Sequence, residues 1–362
     1  MLSFLRRTRA ATAVATGLLL LGAVTACGSG TTTASPATGG ASGTAHAGSA
    51  GSGPSAFPVT IANKFGSTTV ESAPRRIVTV GLTDQDAVLA LGQVPVATTE
   101  WLGAYKGAIG PWAADRLGSN PVPTVLKDPG TGPQVEQIAA LHPDLILALY
   151  AGLTKAQYDS LSKFAPVVAA PEGYSDYGIP WQQQTEIIGK ALGKASQAQQ
   201  LVAGVTADFA AAAKAHPEFA GATALVATPY QGTFVYGSED ARSRLLGSLG
   251  FRLPAGLDQA IGNQFGANIS KERTDLLDTG AIVWLVDDPA KDEAALHADK
   301  LYRDLDVVRQ GREVFVPSSS DFGNAVSFVS VLSLPYTLER LVPQLAEAVD
   351  GNPATKVTAP TS

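Results

Sequence analysis

The stretch 196–216 most restricts the folds open to this chain. It is rich in helix formers, with an Ala-rich run ending at Ala215, and Pro217 closes it. A helix of about 20 residues is about 30 Å long, enough to cross between two lobes. On either side runs the same rhythm of short apolar strands and helices. Before it, 76–80 reads as a buried strand and 94–97 as another. Between them, Thr83 can cap a helix over 84–91, with Asp84 and Asp86 in the first turn where the helix dipole favours acids. Helix, strand, helix and strand follow at 135–141, 145–149, 155–164 and 167–169, which predicts an α/β lobe with a parallel sheet. A helix over 182–192 meets the long one at Gly193. After the long helix, strands are expected at 224–227, 233–236, 281–286 and 314–316, with a helix at 243–249. A last helical segment, 325–349, is expected to be broken by Pro335 and Pro343.

The N-terminus is different in kind. Arg6, Arg7 and Arg9 precede a short apolar run, then Val24-Thr25-Ala26-Cys27-Gly28. A basic head, a short apolar core and small residues before a cut site make a secretory signal peptide. The run is short for a membrane span, which needs about 20 apolar residues. Cys27, the only cysteine, follows the small residues and resembles the lipobox of bacterial lipoproteins. That resemblance implies cleavage before Cys27 and acylation of it, and two or more acyl chains anchor a protein stably. From Gly28 to Ala56 the chain is Gly, Ser, Thr and Ala with scattered Pro, a composition that cannot bury a core and suits a flexible tether. The expected organisation is therefore signal peptide 1–26, tether 27–56, N-terminal lobe 57–192, interlobe helix 193–222, C-terminal lobe 223–352 and disordered tail 353–362.

Charge and soft ligands exclude several functions. Without the first 26 residues the chain holds 23 basic and 32 acidic residues, a formal net of −9, which argues against nucleic acid and against electrostatic membrane attachment. No further Cys and no further Met remain to bind Cu(I) or an iron–sulfur cluster. His46, His142, His216 and His297 show no metal-ligand spacing, and His142 and His216 each precede a proline as helix ends do. The segment from Gly189 to Ala195 is faintly P-loop-like. It is one residue short and has Ala where Ser or Thr must reach magnesium, so it reads as a helix joint. No nucleophile elbow is present, and no isolated acid stands out as a catalytic base.

Aromatic residues in loops do stand out. Trp101, Tyr105 and Trp112 follow the second strand, Tyr150 follows the strand at 145–149, and Tyr174, Tyr177 and Trp181 share a loop. Tyr230 and Phe322 follow strand ends, and Arg242 and Arg244 open a helix. Strand ends of open α/β sheets are where ligands bind. Aromatics there give apolar walls, and arginines give planar positive forks for carboxylate or phenolate oxygens. An internal echo also appears. Glu136 to Leu141 leads into a strand as Glu272 to Leu277 does, with the same offsets. Taken alone, this is a common α/β block with two solvated glutamates.

The segments Pro74 to Val80, Thr83 to Ala87, Glu136 to Leu147, Tyr236-Gly237 to Arg244 and Ser327 to Leu345, in that order and spacing, resemble the iron-siderophore substrate-binding lipoproteins of bacterial ABC importers. The resemblance implies an α/β fold of two Rossmann-like lobes joined by a single long helix, with the ligand cleft between them and little closure. It implies a monomer, not an enzyme, with a ferric siderophore as ligand and no cofactor, because the chelator satisfies its own iron. It implies an ABC permease and its ATPase as partners, with Glu136 and Glu272 docking on the permease. The pocket candidates are Trp101, Tyr105, Tyr150, Trp181, Arg242, Arg244 and Phe322. Cobalamin, haem, or bare iron held by Tyr174 and Tyr177 are alternative cargoes. A surface-anchored hydrolase acting on an iron chelate is the alternative of another class.

Overall fold

The computed structural model describes residues 56–262 and 264–360. The signal peptide, Cys27 and the tether up to residue 55 lie outside the described residues. The described chain opens with a feature the sequence reading missed, an antiparallel hairpin of β1 (Val59–Asn63) and β2 (Gly66–Val70). The N-terminal sheet follows: β3 (Ile77–Thr79), α1 (Asp84–Ala90), β4 (Ala97–Thr99), β5 (Thr124–Leu126), α2 (Val135–Ala140), β6 (Leu145–Ala148), α3 (Lys155–Leu161) and β7 (Val167–Ala169). Its order is β5-β4-β3-β6-β7, and every pair is parallel. Central strands of a parallel sheet are covered on both faces and read as continuous apolar runs. Accordingly, every residue of β6 is buried.

Helix α4 (Trp181–Ala191) and the long helix α5 (Ala195–Ala215) meet at the joint that the Gly-rich segment predicts. Gly193 turns the chain there with φ +68°, a conformation that costs glycine little. Gly189 lets the two helices touch: a Cβ on it would lie 2.3 Å from the Ala198 Cβ.

The C-terminal sheet comprises β8 (Ala224–Thr228), β9 (Thr233–Tyr236), β10 (Gly266–Ile269), β11 (Ala281–Val286) and β12 (Glu313–Pro317). Between β9 and β10 lie α6 (Ala241–Ser248) and α7 (Leu257–Ile261), and between β11 and β12 lie α8 (Pro289–Ala298), α9 (Lys300–Arg303) and α10 (Asp306–Arg309). Its order, β10-β9-β8-β11-β12, matches the first sheet position for position. Here β9 runs antiparallel to both its neighbours, β8 and β10, because a short turn rather than a helix joins β8 to β9. Trp284 of β11 is fully buried and anchors this core, a burial of the order of 2–3 kcal/mol for a large apolar side chain.

The last helical segment corrects the sequence reading. It is two helices, α11 (Asp321–Phe328) and α12 (Ser333–Ala348), bent by 114°. The break falls at Val329, in the left-handed region with φ +44°, and neither proline makes it. Ser330 and Ser333 cap each other reciprocally across the bend: Ser330 N–H donates to Ser333 Oγ at 2.8 Å and Ser333 N–H to Ser330 Oγ at 3.0 Å. Pro343 sits inside α12 without ending it. The expected disordered tail also differs. Over 353–360 the chain lies on the body, with Val357 against the core and the Thr358 N–H donating to Glu347 at 2.6 Å.

Candidate ligand-binding cleft

Loops at the strand ends of the first sheet place a run of aromatic rings. Trp101 follows β4 and Tyr150 follows β6, and their rings lie 6.1 Å apart. Tyr177, beyond β7, meets Tyr150 edge-on at 5.7 Å. On the opposite wall, Phe328 at the end of α11 meets Trp101 at 5.1 Å and Trp112 at 5.0 Å. Tyr236 ends β9, and the Arg242 guanidinium lies 3.7 Å over its ring. Burial pushes the Tyr150 hydroxyl up to about 12; Asp240 adds to the shift and Arg242 and Arg244 oppose it, so all three charges act on this phenol. Tyr150 is therefore a neutral hydroxyl donor at any physiological pH.

The two arginines are held differently. Asp240 caps α6 by accepting the Arg242 N–H, then takes the Arg242 fork on both oxygens, Nε to Oδ1 at 2.8 Å and Nη2 to Oδ2 at 2.7 Å. Burial works against the Arg242 charge, and Asp240 more than restores it, holding the guanidinium above its ordinary range. Among the described residues Arg244 has only carbonyl partners, Glu239 O at 2.8 Å and, across the lobes, Gly178 O at 2.9 Å.

The remaining candidates divide. Tyr105 reaches across the lobes and is not a bare wall: its hydroxyl donates to Asp321 at 2.8 Å and accepts from Asn324 at 2.8 Å. Trp181 is buried at the start of α4 and lines a cavity of about 390 Å³ with Arg244 and Val329. Phe322 does not join the aromatic group. It is buried in the core and borders a cavity of about 330 Å³ under the tail, with Tyr336 and Arg340. The sequence reading missed Phe328, Tyr236 and Asp240. Phe328 was hidden in an apolar run, and Asp240 betrays itself only as an N-cap residue two positions before Arg242.

Asp84 and Asp86 lie in the first turn of α1 as expected, and both are fully buried. Asp84 accepts the N–H groups of Leu149 at 2.8 Å and Tyr150 at 3.1 Å and the Gln184 amide at 2.6 Å, so it positions the start of the Tyr150 loop. Thr83 does not cap α1, and its hydroxyl receives Gln184 instead. Gly81 makes room: a Cβ there would fall 2.1 Å from Asp84 Oδ2. Asp86 accepts Trp112 Nε1 at 2.8 Å and the Ser330 hydroxyl from the bend between α11 and α12, tying the lobes together. Burial pushes Asp86 up to about 6, against the pull of those two donors.

Glu136, in the first turn of α2, and Glu272, in a 3-10 segment (Lys271–Leu277), are both exposed and lead into β6 and β11, which occupy equivalent places in the two sheets. The Ser270 hydroxyl holds the Glu272 carboxyl below its usual range.

Two equivalent sheets, a helical joint and an aromatic cleft with cations on one wall define a two-lobed binding protein. The chain belongs to the periplasmic binding protein family, whose model matches residues 77–319. It is similar to the periplasmic solute binding protein of Mycobacterium smegmatis, with 33% identity, a TM-score of 0.69, and coverage of 80% of this chain and 98% of that one. It is similar to PiaA of Streptococcus pneumoniae, solved in complex with ferrichrome, with 27% identity, a TM-score of 0.72, and coverage of 81% and 99%. Among curated relatives, the ferric enterobactin-binding protein FepB of Escherichia coli O6:H1 is 27% identical over 282 residues, 74% of this chain and 86% of that protein. The Fe(3+) dicitrate-binding protein FecB of E. coli K12 is 29% identical over 153 residues, and this chain spans only 45% of its length. These relatives are named as binding proteins, which is the class expected from the sequence in place of an enzyme.

Proposed function

We propose that this protein is a lipid-anchored extracytoplasmic receptor that captures a ferric siderophore between its lobes and hands it to an ABC permease. The observation that carries the reading is the Trp101–Tyr150–Tyr177 run facing Arg242 and Arg244. A ferric chelate brings its own iron ligands, so its receptor needs aromatic area, hydroxyl donors and charge complements. The iron-chelate names of several relatives support the same cargo class. Capture at sub-micromolar ligand needs roughly 8 kcal/mol or more, which a few buried aromatic contacts and one charged hydrogen bond can supply.

Anchoring through Cys27 rests on the sequence pattern around it. Among the described residues no single helix is long and apolar enough to cross a membrane. Docking through Glu136 and Glu272 is supported by their exposure and by their matched places before β6 and β11. Iron-chelate uptake by cells carrying Glu136→Ala and Glu272→Ala together tests the delivery role. Uptake is expected to fall while chelate binding by the purified variant persists; unchanged uptake contradicts the docking role. Cys27→Ser is expected to move the protein from the membrane to the soluble fraction.

A further inference from the structure

We infer that the cleft selects ferric complexes of zero or single positive charge, the tris-hydroxamate class, over tri-anionic tris-catecholates. This rests on the siderophore reading above and deepens it. Three hydroxamates carry one negative charge each and cancel the ferric ion. Three catecholates carry two each and leave a net of −3. A receptor for the second class needs surplus positive charge where the chelate sits, because each unmatched pair of like charges is costly in a partly buried site.

Among the described residues the cleft shows no such surplus. Asp240 already takes the Arg242 fork at 2.7 and 2.8 Å. Asp240 is itself 4% exposed and fixed as the cap of α6, so it cannot swing away to release the guanidinium. Among the described residues Arg244 has no carboxylate partner, and its donors reach the carbonyls of Glu239 and Gly178. Asp128 and Asp176 act on Tyr177 from the rim, and of these only Asp176 is paired, to Lys64 at 2.6 Å. Arg242, Arg244, Lys64 and Lys127 are matched by Asp240, Asp128, Asp176 and Glu100, so the charges around the aromatic run sum to zero. What the walls do offer suits a neutral or cationic complex. Ring faces attract cations and cover aliphatic spacers. A protonated Tyr150 and an Arg244 fork can donate to hydroxamate oxygens.

The test is a fluorescence titration of the detergent-solubilised full-length protein with ferrichrome, a neutral tris-hydroxamate, and with ferric enterobactin, a tris-catecholate of net −3. Ferrichrome is expected to bind roughly 100-fold more tightly. Asp240→Asn keeps the helix cap and frees the Arg242 charge, and it is expected to shift the affinity ratio roughly tenfold toward the catecholate. Equal or tighter binding of ferric enterobactin by the unmodified protein overturns the inference while leaving the siderophore reading intact. An unmoved ratio in Asp240→Asn overturns the neutralisation argument. Failure of both chelates to bind overturns the charge class; the siderophore reading then survives if ferric dicitrate binds in the same assay and falls if it does not.

Discussion

In the N-terminal sheet the chain leaves β3 through helix α1 and returns parallel as β4, whereas in the C-terminal sheet it leaves β8 through the turn at 229–232 and returns antiparallel as β9. The strand positions are otherwise the same. The crossover helix lets the first lobe bury two carboxylates, Asp84 and Asp86, at the base of the cleft and at the contact between lobes. The second lobe has no helix in that place. Its helix comes one strand later, as α6, and brings Asp240, Arg242 and Arg244 to the other wall. The first lobe thus supplies the buried positioning acids, and the second supplies Arg244 and the Arg242–Asp240 pair.

The largest expected effect tests that division in the first lobe. Asp84→Ala leaves the Leu149 and Tyr150 N–H groups and the Gln184 amide without their acceptor, a loss of about 3–5 kcal/mol in chemical denaturation. The matching site in the second lobe is the β8–β9 turn, where Tyr230 is exposed, and Tyr230→Ala should stay within about 0.5 kcal/mol. Similar losses at both sites would break the comparison.

Asp86 gives the pH dependence. Its folded pKa, about 6, lies above the ordinary carboxylate value, so the folded state favours the protonated form. That contribution is complete below about pH 4 and is lost as pH rises through 6, roughly 2–3 kcal/mol in all. Asp86→Asn should flatten the stability profile across this window, as read by melting at pH 4, 5, 6 and 7. A variant that keeps the wild-type slope there would assign the titration elsewhere.

A smaller effect is expected within the second lobe, where a buried chain of hydrogen bonds replaces the acid pair. Trp284 Nε1 donates to the Tyr302 hydroxyl at 2.7 Å, which donates to Glu313 at 2.5 Å, and His297 meets the other Glu313 oxygen at 2.7 Å. Tyr302→Phe should cost about 1–2 kcal/mol without weakening chelate binding, because this network stands behind β11 and β12 rather than in the cleft. Loss of binding would show that the lobes are less independent than their separate polar networks imply.

Much of this architecture was legible because apolar runs such as 145–148 and 281–286 are buried on both faces and leave a continuous signal. The long helix was legible from its composition and from Pro217. Short edge strands were not: β5 and β10 carry exposed or half-buried residues and owe their state to a neighbour's hydrogen bonds. The bend at Val329 comes from two serines capping each other, against a β-branched residue's backbone preference, while Pro343 gave a false signal for a break. Of the cleft, the loop aromatics and both arginines were visible. Their pairing was not, since Asp240 and Phe328 meet their partners through the folded chain.

The central claim is that ligand sits between the lobes against Tyr150, and calorimetric titration of Tyr150→Ala with ferrichrome beside the unmodified protein tests it most directly. A buried aromatic at the centre of a site is worth about 2–3 kcal/mol, so the variant should bind roughly 30- to 100-fold more weakly. Tyr150 also packs in the core, so its truncation lowers the melting point, and both titrations are run well below the variant's midpoint. Equal affinity in the two proteins would place the ligand elsewhere and contradict the account.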